Sequence, residues 1–257
     1  MPSWDPSQYE RYKAYRDRPA LDLLIQVPED LDPREIWDLG CGMGEHAALL
    51  KRRHPEATVH GLDSSPDMLE RARKRPEAVE WVQADVASWV PEKPADLIFS
   101  NAALHWLGNH TQLFPALVSR LVPGGVFACQ MPVSWRAPQH TLLRETAADG
   151  PWAERLAVID AVKPLLEPEC YYDVLSPLCT SVDLWTTTYL HVLDGEDPVV
   201  EWMKGSGLRP YLDALSPEAQ APFLDAYRRR LASAFPRRAD GSTILPFERA
   251  FVVARRA

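Results

Sequence analysis

Asp38, Gly40, Gly42 and Gly44 occupy alternate positions of one short stretch, after an apolar start at Ile36. Glycines so spaced let the backbone take φ > 0 and come close to a ligand with no Cβ in the way. The helical run after them, residues 45–53, brings the unpaired N–H groups of a fresh helix end to the same place. Asp63 follows Gly44 by 19 residues and ends a second apolar run, where an acid can bind ribose hydroxyls. Asp85 ends a third run. An acid within the glycine stretch sets negative charge where a pyrophosphate would lie. It therefore favours a ligand with an ammonium group. Three carboxylates at successive strand ends suit a ligand rich in hydroxyl, amine and amide donors.

The elements that must hold these residues alternate. Strands are expected over residues 57–63, 79–85, 96–101 and 126–131, with helices over about 66–75 and 113–121. Ser65 caps the first of these helices with Pro66 at its favoured first position. Pro123, Gly124 and Gly125 form a turn before the fifth strand. Such alternation predicts an α/β fold: a doubly wound, mostly parallel sheet with helices on both faces and ligands at the carboxyl ends of the strands. Upstream, Tyr9, Tyr12 and Tyr15 recur three apart and can share a helix face, with Arg16 and Arg18 beside them. This reads as a lid helix, and Pro19 as the start of a second one that buries Leu21, Leu24 and Ile25. Downstream, residues 181–192 and 247–254 read as strands, and helices begin after Asp197-Pro198 and Ser216-Pro217. Helices placed between late strands suggest a cap. The expected layout is a single domain over 1–257: lid helices at 1–30, a ligand-binding core at 35–132, cap segments at 133–178 and 194–240, and closing strands at 179–193 and 246–255.

Composition narrows the possibilities. The formal net charge is -8, which argues against a nucleic-acid partner held by a basic surface. No apolar run is long enough to span a bilayer, and Met1 to Asp5 carry no leader-like pattern, so a cytoplasmic location is expected with no membrane partner. The four cysteines, Cys41, Cys129, Cys170 and Cys179, have neither a CxxC pair nor a metal-ligand spacing, and no metal is expected. An obligate protein partner is not expected either.

Together the Asp38–Gly44 loop, Asp63 and Asp85 resemble the class I S-adenosylmethionine-dependent methyltransferases over residues 35–131. The resemblance implies a Rossmann-like, seven-stranded sheet and S-adenosyl-L-methionine as cofactor. It implies that Asp38, Gly40, Gly42 and Gly44 hold the amino-acid part and Asp63 the ribose. Ser64 and Met68 would pack the adenosine, Asp85 would reach the adenine amine with Val86 beside it, and Asn101 would face the methionine portion. His105 and Trp106 fall where groups face the transferred methyl.

A narrower resemblance, to the trans-aconitate-methylating members, runs through nearly the whole chain. It is carried by Arg16-Asp17-Arg18-Pro19, Gly61 to Pro66, His105-Trp106-Leu107, Gln130-Met131-Pro132, Tyr171-Tyr172-Asp173, Val182 to Trp185, Thr187-Thr188-Tyr189 and Gly207-Leu208-Arg209-Pro210. The chain departs from those members at Glu45-His46 and Val133-Ser134. The implied reaction is esterification of one carboxylate of a small polycarboxylic acid. That acid needs cations and donors, for which Arg209, Arg18 and Arg136 are candidates, with Tyr9, Tyr171, Tyr172, His105 and Trp106. Trp185 and Trp202 read as core. Two alternatives stand beside this: methylation of another oxygen or nitrogen with His105 as base, and a non-catalytic S-adenosylmethionine-binding protein.

Overall fold

The computed structural model describes residues 13–133, 135–159, 164–205 and 207–257. Tyr9 and Tyr12 lie outside them. The described chain opens with helix α1 (Lys13–Ile25). Then come β1 (Glu35–Leu39), α2 (Glu45–Arg53), β2 (Thr58–Asp63), α3 (Pro66–Ala72), β3 (Glu80–Gln83) and β4 (Ala95–Asn101). A 3₁₀ turn (Leu104–Trp106) leads into α4 (His110–Ser119) and β5 (Leu121–Pro132). The later elements are α5 (Pro138–Ala148), α6 (Ala153–Leu156), α7 (Pro168–Leu175), β6 (Cys179–Leu193), α8 (Pro198–Lys204), α9 (Arg209–Ala214), α10 (Pro217–Ala234) and β7 (Thr243–Arg256).

The strands make one seven-stranded sheet in the order β3-β2-β1-β4-β5-β7-β6. β1 to β5 pair in parallel, and β7 runs antiparallel to β5 with Gln130 opposite Phe251 and Pro132 opposite Arg249. This is the α/β class that the alternation predicts and the Rossmann-like, seven-stranded sheet that the resemblance implies. The order reverses direction between β1 and β4, which places the carboxyl ends of those two strands side by side. Ile36 and Leu39 of β1 and Leu97 and Ile98 of β4 are fully buried, as a strand covered on both faces requires.

Three local expectations change. Pro19 lies inside α1 rather than opening a second helix. The buried face of α1 includes Ala20, Leu23 and Leu24, with Val27 buried just beyond its end, while Leu21 and Ile25 are exposed. Ala20, Leu23 and Leu24 are the i, i+3 and i+4 positions of one helix face, one residue out of phase with Leu21 and Ile25. β3 is short and stops at Gln83, so Asp85 sits beyond the strand in a turn. Its carboxylate accepts from Ala87 N at 2.9 Å, an Asx turn that competes with the strand ladder. Pro123, Gly124 and Gly125 fall within β5, whose register with β4 shifts between Ala95 and Leu97.

The chain divides into two compact units. One comprises Asp17–Pro132, Leu166–Thr186 and Arg249–Ala257. The other includes Val133–Leu165 and Thr187–Glu248, with its own core around Trp202, Met203, Leu208, Phe223 and Tyr227. In that core, Trp202 stacks on His191 at 4.8 Å and Tyr227 donates to Gln139 O at 2.7 Å. Trp185, in the first unit, stacks on Phe251 at 4.6 Å between centroids.

Candidate active site

β1 delivers Asp38 to the end of the sheet, and the glycine loop turns from there into α2. Gly40, Gly42 and Gly44 all take positive φ, at 73°, 54° and 78°. Backbone bonds fix the loop on β2: Gly40 N and Cys41 N both donate to Leu62 O, at 2.8 and 3.0 Å. A Cβ on Gly40 would come within 2.2 Å of Ala103 Cβ, and one on Gly44 within 2.3 Å of the Trp81 ring. A Cβ on Gly42 would meet nothing within 4 Å. Gly40 and Gly44 are therefore packed against protein, and Gly42 turns towards open space, the side from which a ligand can approach.

Asp63 ends β2 and joins this loop to the next helix. Its carboxylate accepts from Gly42 N at 2.9 Å and from Ser65 N at 2.8 Å. Each oxygen keeps a further lone pair for a ligand hydroxyl. Ser64 and Met68 follow, both half-buried, with Ser65 capping α3 through Met68 N at 3.4 Å. Val86 is buried and Asp85 is exposed.

Asp38 is the unusual carboxyl. It is 1% exposed, and one of its oxygens has no hydrogen-bond partner among the described residues. Burial, aided by the charges of Asp63 and Glu45, pushes it up to about 8 against the Ala47 N–H that stabilises its anion. An orphaned buried oxygen in an electronegative hollow fits a cationic group. With the open approach at Gly42 and the spare lone pairs of Asp63, these residues fit S-adenosylmethionine: ammonium at Asp38, ribose hydroxyls at Asp63.

At the end of β4, Ser100 donates to Leu39 O at 2.8 Å and ties the two central strands together. Asn101 follows, its Oδ1 buried and without a hydrogen-bond partner among the described residues. Ala102 then takes φ 53°, a conformation that costs an alanine of order 1 kcal/mol or more. The chain enters the 3₁₀ turn that carries His105 and Trp106, whose rings lie 4.6 Å apart. His110 anchors this turn. Its Nε2 donates to Leu104 O at 3.0 Å, which fixes the tautomer, so Nδ1 accepts from the Tyr171 hydroxyl at 2.7 Å. Tyr171 is buried and directed into that support, whereas Tyr172 is 51% exposed.

The candidate cations are distributed more widely. Arg18 is largely exposed, with Asp22 at 4.0 Å. Arg209 opens α9 half-buried, with Asp213 at 3.7 Å, and Arg136 is exposed. The sequence reading missed Trp81 and Arg75. Trp81 sits opposite Gly61 across the β2–β3 pair and lies over both Gly61 and Gly44. A large aromatic paired with a strand glycine was the available signal. Arg75 donates to Met43 O at 2.6 Å and pairs with Glu45 at 2.7 Å. The departure at Glu45 thus clamps the glycine loop to the end of α3. His46 lies near Phe99, at 6.2 Å between rings, with Asp17 at 4.0 Å.

A family model described as a methyltransferase domain matches residues 36–125. The chain is 47% identical to a trans-aconitate 2-methyltransferase of Methylobacterium radiotolerans, over 100% of both chains. It is 48% identical to the same-named protein of an Azoarcus species, again over 100% of each. Among solved structures, a Haemonchus contortus phosphoethanolamine N-methyltransferase in complex with S-adenosylhomocysteine shares the fold, with a TM-score of 0.56 and 16% identity, covering 93% of this chain and 52% of that one.

Proposed function

The chain belongs to the trans-aconitate 2-methyltransferase family of S-adenosylmethionine-dependent methyltransferases, and on that premise we propose that it esterifies one carboxylate of trans-aconitate. The observation that carries the reading is the buried, orphaned oxygen of Asp38 beside a three-glycine loop open at Gly42. When bound, the cofactor supplies an electrophilic methyl group. Asp38 balances its ammonium, Gly40, Gly42 and Gly44 line its amino-acid part, and Asp63 takes the ribose hydroxyls. Ser64, Met68, Asp85 and Val86 surround the adenosine, and Asn101 faces the methionine portion.

The acceptor needs no base. A carboxylate, pKa about 4, is ionised at neutral pH and is its own nucleophile. The protein's task is to desolvate it, align it with the methyl and balance the remaining charges. Alignment of this kind contributes roughly 7–11 kcal/mol. His105 then acts as a hydrogen-bond donor that orients the acid, and Trp106 shields it from water. Tyr172, Tyr9, Arg18 and Arg209 are further candidates for binding the acid. Tyr171 acts through His110, by holding the turn under His105 in place. A cytoplasmic setting suits the free state of Cys41, Cys129, Cys170 and Cys179.

The test is incubation with methyl-labelled cofactor and trans-aconitate, cis-aconitate, isocitrate or itaconate, with the ester located by mass spectrometry. A monomethyl ester of trans-aconitate is expected, and no ester from any of the acids sinks the assignment. The same assay on His105→Gln should retain turnover, since Gln also donates. Complete loss would restore the base role.

A further inference from the structure

Arg249 is 4% exposed, a charged side chain buried in β7. It lies opposite Pro132, the last residue of β5, at the carboxyl end of that strand. Its Nη1 donates to Gln130 Oε1 at 3.4 Å. Gln130 is fully buried, and its Nε2 has no hydrogen-bond partner among the described residues. Gln130 is opposite Phe251 on one side and Asn101 on the other. Directly paired residues share a sheet face, and so do positions two apart on a strand. Asn101, Gln130, Phe251 and Arg249 therefore share one face, near the positive-φ backbone at Ala102, whose N–H donates to Gln130 O at 2.9 Å.

We propose that Arg249, steered by Gln130, is the specificity residue that receives a carboxylate of the polyacid other than the one methylated. The proposal rests on the reading of the reaction above. Guanidinium N–H groups form a planar fork that matches a carboxylate in two parallel bonds, and the spare amide donor of Gln130 adds a third. An ion pair in this water-poor position is screened far less than one at Arg18, whose side chain is 74% exposed. The polar groups follow the sheet in a sensible sequence. Asn101, with its unpartnered acceptor oxygen, ends β4 beside β1, the strand of Asp38, where a cationic ligand fits. The donors of Gln130 and Arg249 lie towards β7, where an anion fits. The two reactants would thus meet along one row of strand ends, each at groups of opposite polarity.

The experiment compares full-length wild type, Arg249→Gln and Arg249→Lys. It reads the apparent affinity of trans-aconitate as KM, that of itaconate (one carboxylate fewer) as KM or as a competitive inhibition constant, the dissociation constant of S-adenosylhomocysteine, and the melting temperature. For Arg249→Gln, the preference for trans-aconitate over itaconate should fall by 10-fold or more, through KM rather than kcat, with S-adenosylhomocysteine binding within about twofold of wild type. Arg249→Lys should recover part of the preference, since it keeps the charge and loses the fork. A merely structural arginine would lower stability or both reactants' binding and leave the preference between the two acids unmoved. That outcome in either folded variant overturns the proposal. Failure of wild type to esterify trans-aconitate would instead sink the underlying reading, so the two failures are distinguishable.

Discussion

Substitution of Asp38 by Asn removes a buried carboxyl while keeping its shape and its acceptor for Ala47 N–H. Asp38 moves from the ordinary 3.8 to about 8 on folding, chiefly through burial. An acid whose folded-state pKa is raised binds more protons folded than unfolded. Its favourable contribution is complete below about pH 4, shrinks as pH rises, and is gone above about 8. Between pH 5 and 7 the difference is close to one proton, so wild type should lose roughly 2–3 kcal/mol that Asp38→Asn keeps. The assay is urea unfolding of both proteins without cofactor at pH 5 and pH 7. Taking the difference of differences cancels any constant effect of the amide and the titration of distant histidines. The variant should gain on wild type by roughly 2–3 kcal/mol across that interval. Binding supplies a second reading. A ligand ammonium favours the Asp38 anion, so cofactor binding at pH 7 should expel up to about 0.9 proton, measured by calorimetry in buffers of different ionisation heat. The release should vanish in Asp38→Asn, along with much of the affinity. A double difference below about 0.5 kcal/mol together with no proton release would show that Asp38 is ionised throughout and refute its raised pKa, whereas unchanged cofactor affinity in Asp38→Asn would refute its assignment to the ammonium.

Asp63→Ala should weaken cofactor binding by roughly 1–3 kcal/mol and also loosen the loop, because Gly42 N and Ser65 N lose their acceptor. Calorimetric binding with unchanged affinity would break the ribose assignment. Gly44→Ala should cost several kcal/mol in thermal or urea unfolding, since it combines φ 78° with a 2.3 Å approach to Trp81. Trimming the ring in Gly44→Ala/Trp81→Ala should remove the steric conflict and leave the backbone strain, and strictly additive losses would contradict the contact. Tyr171→Phe should lower stability by about 1–3 kcal/mol by leaving His110 Nδ1 without its donor. Its KM for the acid should stay within a few-fold, whereas a large KM rise with unchanged stability would put the hydroxyl in the substrate site.

The parallel half of the fold was legible because its signals are local. Glycine spacing, Asp63 at the end of β2 and Ser65-Pro66 at the start of α3 each specify a conformation within a few residues. The closing strand β7 runs antiparallel and borrows its partners from β5, more than a hundred residues earlier, so its chemistry has no local signature. Arg249 shows the consequence. Read along the chain, it is one residue of the strand expected over 247–254, with nothing to mark it. In space, Arg255 is an outward-facing pair with Asp30, while Arg249 is buried against Gln130. The exposed candidates Arg18 and Arg136 were conspicuous for the opposite reason: aromatic and basic neighbours cluster around them in sequence. Burial, which decides how strongly a cation holds an anion, depends on which strands pair, and linear spacing does not encode that. Tyr171 makes the same point from the other side. Adjacent tyrosines in a helix must diverge, and here one supports His110 while the other faces solvent. The glycine loop and the strand ends around it are local features, and their conformation can be read from sequence. The proposed acid site depends on pairings the sequence does not spell out, and its specificity is the property to test first at Arg249.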